Sequence, residues 1–89
     1  MAFKSKDLSV LSYANGFTLW HYATTDVATD VDTEGYFNDA SHMLRVGDMV
    51  MANVDTDGTP AAGIFLISAN TGGVVDVDDL TQVGGTDTD

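Results

Sequence analysis

Few side chains of this sequence could carry acid–base or nucleophilic chemistry. His21 and His42 are the only candidates for a general base near neutral pH. The chain has no cysteine, and none of its serines lies in a GxSxG nucleophile elbow. Ser41 and His42 are adjacent in sequence, which is poor geometry for a nucleophile and its base. We therefore expect no catalytic residues and a protein that is not an enzyme.

Acidic residues are the other chemical candidates, as ligands of a metal ion. "DTDGT" (Asp55–Thr59) begins like a calcium loop, but Ile64 stands where that loop needs a glutamate. The acidic run 26–34 and the acidic group 76–79 have irregular spacing, which is typical of solvated loops. We expect a turn at "DTDGT" and neither a metal nor a cofactor. A calcium- or ligand-binding module, with the Asp55-Asp57 turn and the Asp26–Glu34 loop as ligands, is the alternative from a different functional class.

The charge balance restricts the possible partners. Fourteen acidic residues against three basic ones give a formal net charge of −11. Nucleic-acid backbones and anionic membranes both attract clustered lysine and arginine, so neither is an expected partner. The glycine pairs in "NTGGVV" and "VGGTD" lack the spacing of a phosphate-binding loop. With no apolar run of membrane-spanning length, we expect a soluble protein made in the cytoplasm of its producer.

The length of 89 residues allows one domain at most. A chain this small has a thin core, and without cysteines it gains nothing from disulfides. Self-association or docking on a larger partner is the expected source of extra stability. We predict one small β domain over residues 1–83 with an N-terminal arm at 1–7, followed by an acidic tail at 84–89.

The elements that would position these residues are mostly strands. Leu8–Tyr13 and Phe17–Ala23 are rich in β-forming residues, and Asn15-Gly16 between them is the strongest short hairpin signal. Tyr36–Leu44 is the one plausible helix, about two turns long.

Further along the chain, apolar segments alternate with turn residues. Val46–Val54 holds a turn at Gly47-Asp48 that leads into a strand, and Gly63–Ala69 and Val74–Val77 are further strands. "LTQV" extends the last strand or adds a short one. The continuous apolar run Gly63–Ala69 predicts a central strand that is buried on both faces. The fold class we predict is mainly all-β, a small antiparallel β-barrel or sandwich of five to six short strands with one short helix.

The aromatic segment "YANGFTLWHY" decides which face of the second strand is inside. Side chains alternate along a strand, and Phe17 and Leu19 look like the core face. Trp20 and Tyr22 would then face outward as candidates for an interface with a partner. The other possibility is that the helix or the N-terminal arm of the same chain covers them.

Three long blocks of the sequence resemble small structural proteins of tailed bacteriophages and related gene-transfer particles. They are "LSVLSYANGFTLWHY", "GYFNDASHMLRVGDMVM" and "NTGGVVDVDDLT", within residues 7–81. The resemblance implies a virion protein on the outside of the head, most simply a capsid decoration (cement) protein. The base of a head spike or fibre at the vertices is the alternative.

The resemblance also implies partners. These are the major capsid protein and further copies of the chain, with a trimer favoured and a pentamer as the alternative. No catalytic residues belong to the resemblance. An N-terminal arm carrying Phe3, Lys4 and Lys6 could dock on a neighbouring subunit, which adds these three residues to Trp20 and Tyr22 as the predicted interface.

Overall fold

Six strands form one open sheet in the computed structural model, which describes residues 3–84. The strands are β1 (Leu8–Ala14), β2 (Phe17–Ala23), β3 (Met49–Val54), β4 (Ala61–Thr71), β5 (Val74–Val77) and β6 (Thr81–Val83). Within residues 3–84, helical structure is limited to α1 (Ala28–Val31) and two 3₁₀ turns, Ser5–Asp7 and Asn38–Ala40. The mainly all-β prediction is confirmed, but the sheet does not close, so the barrel alternative is wrong.

The β1–β2 hairpin forms as predicted. Asn15 and Gly16 both have positive φ, 52° and 83°, which is the backbone that a tight two-residue turn between twisted strands requires. Ala14 pairs with Phe17 directly beside the turn. The hairpin therefore follows from local turn chemistry alone.

Strands β2 and β3 are parallel, which the antiparallel prediction missed. Parallel neighbours need a long crossover connection, and residues 24–48 supply it. The buried side chains Val31, Phe37, Ala40 and Leu44 of this connection join the core cluster with the sheet. The crossover connection therefore covers one face of the sheet and forms the second layer of the fold.

Strands β5 and β6 lie along the same edge of β4. Thr71 pairs with Val74 beside the turn, and further along β4 Ala62 pairs with Val83. A register shift between Ile67 and Ala69 marks an irregularity in the β4–β5 pairing. The expectation that "LTQV" extends the last strand or adds a short one is confirmed.

The helix predicted over Tyr36–Leu44 is wrong, because only a 3₁₀ turn forms within it. The N–H groups of Ala40, Ser41 and Met43 donate to carbonyls three residues back, as in 3₁₀ turns. Nδ2 of Asn70 donates to the carbonyls of Ser41 and Leu44 at the end of the segment, at 2.8 and 2.6 Å. A two-turn segment has little helical stability of its own, so such tertiary contacts decide its conformation.

Candidate interaction surface

Trp20 and Tyr22 lie inside the domain, so the prediction that they face outward is wrong. Trp20 is 7% exposed and Tyr22 fully buried, whereas Leu19 and His21 are on the opposite face of β2. Burial of these amphipathic rings is possible because their polar ends find partners inside. Trp20 Nε1 donates to Asp48 Oδ2 at 3.2 Å, and the Tyr22 hydroxyl lies 2.9 Å from that of Tyr36.

The N-terminal arm covers Tyr22, which was the other possibility left open by the sequence. The ring of Phe3 stacks on Tyr22 and meets Phe37 edge-on, each at 5.4 Å between centroids. The backbone N–H of Lys4 donates to the Tyr22 hydroxyl at 3.2 Å. Phe3 is therefore engaged within its own chain, and of the predicted interface residues only Lys4 and Lys6 keep exposed side chains.

Asp48 joins the start of β3 to β2 and to the crossover connection. Its buried carboxylate accepts hydrogen bonds from the backbone N–H groups of Thr18 and Arg45 and from the indole of Trp20, at 3.1 to 3.2 Å. Three donors satisfy this buried charge. The role of Asp48 in this arrangement is therefore structural.

A second buried acid, Asp26, lies in the run predicted to be a solvated loop. It is 6% exposed, and the Tyr36 hydroxyl donates to its Oδ2 at 2.7 Å. Burial, and then the hydrogen bonds with Tyr22 and Asp26, raise the pKa of Tyr36 well above its ordinary value. The solvated-loop prediction is wrong here, because the crossover connection folds against the sheet.

Other acids lie in turns and loops, although Asp76 of the group predicted to be a solvated loop is part of strand β5. "DTDGT" is a turn, closed by hydrogen bonds from the Gly58 N–H to the Asp55 carbonyl and from the Thr59 N–H to Asp55 Oδ2. Asp32 lies beside Asp79. Burial first, and then the charge of Asp79, raise the pKa of Asp32. Within residues 3–84, no group of three or more histidines and acids is arranged to hold a metal ion.

The two histidines are on different layers of the fold. His21 lies on the face of the sheet opposite the crossover connection, where its Nε2 is 2.9 Å from Asn53 Nδ2. His42 is an exposed residue of the crossover connection itself. The structure therefore does not bring them together as a pair.

A polar cleft lies at the N-terminal arm. It has a volume of about 330 Å³ and is lined partly by Lys4, Lys6, Asp7 and Asp26. Lys6 Nζ forms an ion pair with Asp7 at 3.1 Å, between an exposed lysine and a half-buried aspartate. The mixture of both charge signs gives the cleft no clear preference for a charged ligand.

The face of the sheet opposite the crossover connection is uncovered by any segment within residues 3–84. We call it the open face. Its strand residues pair side by side in the sheet, as Leu19 with Met49, Met49 with Leu66, and Met51 with Ile64. The side chains that point to it are Ser9, Ser12, Ala14, Phe17, Leu19, His21, Ala23, Met49, Met51, Asn53, Ala62, Ile64, Leu66, Thr81 and Val83.

The open face carries no aspartate, glutamate, lysine or arginine, although the whole chain has 17 such residues, from 14 acids plus three bases. Met49, Met51 and Leu66 are 39%, 41% and 37% exposed. A sheet face in contact with water is ordinarily polar, and methionine and leucine there indicate a binding surface. A shallow depression of about 120 Å³ lies among His21, Met51 and their neighbours.

The apolar run Gly63–Ala69, predicted to be buried on both faces, contributes to the open face. Strand β4 lies inside the sheet, as predicted, but the prediction that it is buried on both faces is wrong, because residues 3–84 cover just one side of it. Phe65 and Ile67 are fully buried, while Leu66 points to the open face. The continuous apolar run therefore places apolar side chains on both faces of β4, and residues 3–84 cover one of these faces.

The two edges of the sheet also differ in charge. Strand β1 forms one edge and has no charged residue and no proline. Strands β5 and β6 form the other edge, and Asp76, Asp78 and Asp79 lie within or between them. Charged side chains on an edge discourage pairing with another chain, so the β5–β6 edge is protected and β1 is not.

Comparison of the chain with protein-family models, with curated proteins and with solved structures gives no match. None of the helices formed by residues 3–84 has the length and apolar character to cross a membrane. The surface features described above are therefore the basis for a functional proposal.

Proposed function

We propose that this protein is a structural component of a phage-like particle, a decoration protein that binds the outer surface of the head and stabilises contacts between capsomers. The open face is the observation that carries the proposal. It is a largely apolar surface without aspartate, glutamate, lysine or arginine, on a chain whose net charge is −11. Such a domain binds another protein through that face and keeps its acidic side toward water.

The fold supports a binding role rather than a catalytic one. The buried polar side chains form contacts that hold the layers together, as Asp48 does between β2 and the crossover connection. The resemblance of the three sequence blocks to phage head proteins supplies the particle and the major capsid protein as the partner. Acidity on the exposed side is also suited to a protein that stays outside the packaged nucleic acid.

Re-addition of purified protein to heads that lack it tests the proposal. We expect wild-type protein to bind in many copies between capsomers, as seen by cryo-electron microscopy. Met51→Lys should abolish or strongly weaken binding, because it places a charge in the centre of the open face. Val46→Lys is the matched control, since Val46 is 62% exposed in the crossover connection, away from this face.

Three outcomes would contradict the proposal. Absence of the protein from particles of its producer would exclude a virion role. Density at the vertices or the neck alone would indicate a spike or fibre base. Equal binding by Met51→Lys and wild-type protein would show that the open face is not the docking surface.

A further inference from the structure

Strand β1 is the end strand of the sheet, and its outer edge pairs with no strand of residues 3–84. Leu8–Ala14 reads LSVLSYA, and all of it after Leu8 is exposed. Val10 and Leu11 are 55% and 52% exposed, which adds apolar surface to the unpaired backbone groups. A register shift between Val10 and Ser12 is the one feature that makes this edge irregular. Natural proteins seldom leave such an edge unpaired, because it is a template for another strand.

We propose that β1 pairs with β1 of a second copy of this chain, as antiparallel strands about a two-fold axis. An antiparallel pair of identical strands is self-complementary, so each copy supplies the same surface. Two copies that each carry a charge of −11 repel one another at most contacts. Strand β1 is the sheet edge where they meet without opposing carboxylates, because the other edge holds Asp76, Asp78 and Asp79.

The geometry of this pairing leaves the open face available. A two-fold axis that makes edge strands antiparallel runs perpendicular to the sheet, so both copies present the same face to the same side. The dimer therefore carries two open faces on one side of a continuous sheet. A dimer formed by stacking the open faces would instead hide them.

The size of the open face gives a reason for two copies. Five strands spaced at about 4.8 Å, with about six residues at about 3.3 Å each, cover roughly 480 Å². Stable specific interfaces bury about 800 Å² on each partner. The planar area of one open face is below that figure, whereas the planar area of two side by side, roughly 960 Å², exceeds it. This use of the dimer rests on the proposed function, but the dimer itself does not.

Analytical ultracentrifugation of the purified full chain tests the pairing without any particle. We expect wild-type protein to reach twice its 9.4 kDa chain mass as concentration rises. Leu11→Glu should raise the dimer Kd at least about tenfold, since like charges then face each other across the axis. Val83→Glu is the matched control on the opposite edge, at 59% exposure, and should dimerise as the wild type does.

Amide hydrogen exchange gives a second readout that needs no substitution. Backbone amides of β1 should become more protected as protein concentration rises, while those of β6 should not change. The pairing would be overturned if ultracentrifugation showed a monomer at millimolar concentration or a trimer. It would also be overturned by equal effects of Leu11→Glu and Val83→Glu, or by exchange data without added protection in β1. If the protein forms the dimer but does not bind capsids, the proposed function is refuted and the β1 pairing stands.

Discussion

At the scale of single residues, buried polar groups specify how the layers of this small domain meet. Asp48 and Asp26 are both acids inside a protein with a thin core. Asp48 accepts a hydrogen bond from Trp20 of the sheet, and Asp26 accepts one from the Tyr36 hydroxyl, which also bonds Tyr22 of the sheet. Burying a carboxylate is costly unless donors surround it. These residues therefore fix one arrangement of the sheet and the crossover connection, because other arrangements would leave the charges without donors.

Asp48→Asn tests the structural role of the buried Asp48 carboxylate. The amide keeps the shape of the side chain but removes one acceptor oxygen and points an NH₂ group at an existing donor. We expect the free energy of unfolding to fall by about 1–3 kcal/mol, measured by urea denaturation. Asp39→Asn, at an exposed position, is the control and should change it by less than about 0.5 kcal/mol. Equal stability of Asp48→Asn and wild type would contradict the structural role.

The hydroxyl of Tyr36 forms hydrogen bonds with both Tyr22 and Asp26. Tyr36→Phe should lower the free energy of unfolding by about 1–2 kcal/mol at pH 7.

The same hydroxyl predicts a dependence on alkaline pH. The pKa of Tyr36 is raised in the folded state, so the folded protein holds this proton more tightly than the unfolded chain does. The protonated Tyr36 hydroxyl contributes fully to the free energy of unfolding below the ordinary tyrosine pKa of 10.0. This contribution is lost as pH rises above that value. Wild-type protein should therefore lose more stability than Tyr36→Phe between pH 9 and 11. Parallel loss in both proteins would contradict this assignment.

At the scale of elements, the close approach of β6 to β4 depends on Gly63. A Cβ added there would lie 2.7 Å from Leu80 Cγ and would also meet the carbonyl oxygen of Thr81. Two strands at this separation leave no room for a side chain on the covered side of position 63. The glycine is therefore required by packing, since its φ is not in the left-handed region.

Gly63→Ala should displace β6 and lower the free energy of unfolding by about 1–3 kcal/mol. Chemical denaturation measures the loss, and hydrogen exchange should locate it in β6. Ala69→Ser adds one heavy atom at an exposed position of the same strand and is the control. If both substitutions had the same small effect, the contact would be looser than described.

The elements also show what the sequence could and could not predict. The β1–β2 hairpin was predictable because Asn15-Gly16 encodes its turn locally. The facing of Trp20 and Tyr22 was not, because the strand has apolar residues on both sides and the deciding partners, Asp48 and Tyr36, are distant in sequence. Parallel pairing of β2 and β3 likewise depends on a long connection whose path no local pattern indicates. Burial of both faces of β4 was wrongly predicted, because an apolar run does not show whether another layer of the chain covers each face.

At the scale of the whole molecule, charge is segregated. The open face and β1 have no charged residues, whereas acids concentrate on the crossover connection, the turns and the β5–β6 edge. Burial and the charge of Asp79 raise the pKa of Asp32 above its ordinary value of 3.8. The ionised form of Asp32 is therefore destabilised in the folded protein.

Asp32→Asn should therefore raise the melting temperature at pH 7. A raised pKa in the folded state means that stability is lost as pH rises through that pKa. The gain from the substitution should shrink as pH falls and vanish well below pH 3.8, where the carboxyl is protonated in both states. Calorimetry across this range measures it, with Asp57→Asn at an exposed turn as control. A gain that persists at low pH would show that charge is not its cause.

The parallel pairing of β2 with β3 has a consequence for how the chain folds. The β1–β2 hairpin and the β4–β5 hairpin each join strands separated by a tight turn, so each can form from local contacts. The β2–β3 pair forms after the ends of residues 24–48 have come together, which carries a loop-closure entropy that the hairpins avoid. We expect this step to limit the folding rate. Substitutions that stiffen the crossover connection should accelerate folding, while those in the hairpin turns should mainly change stability.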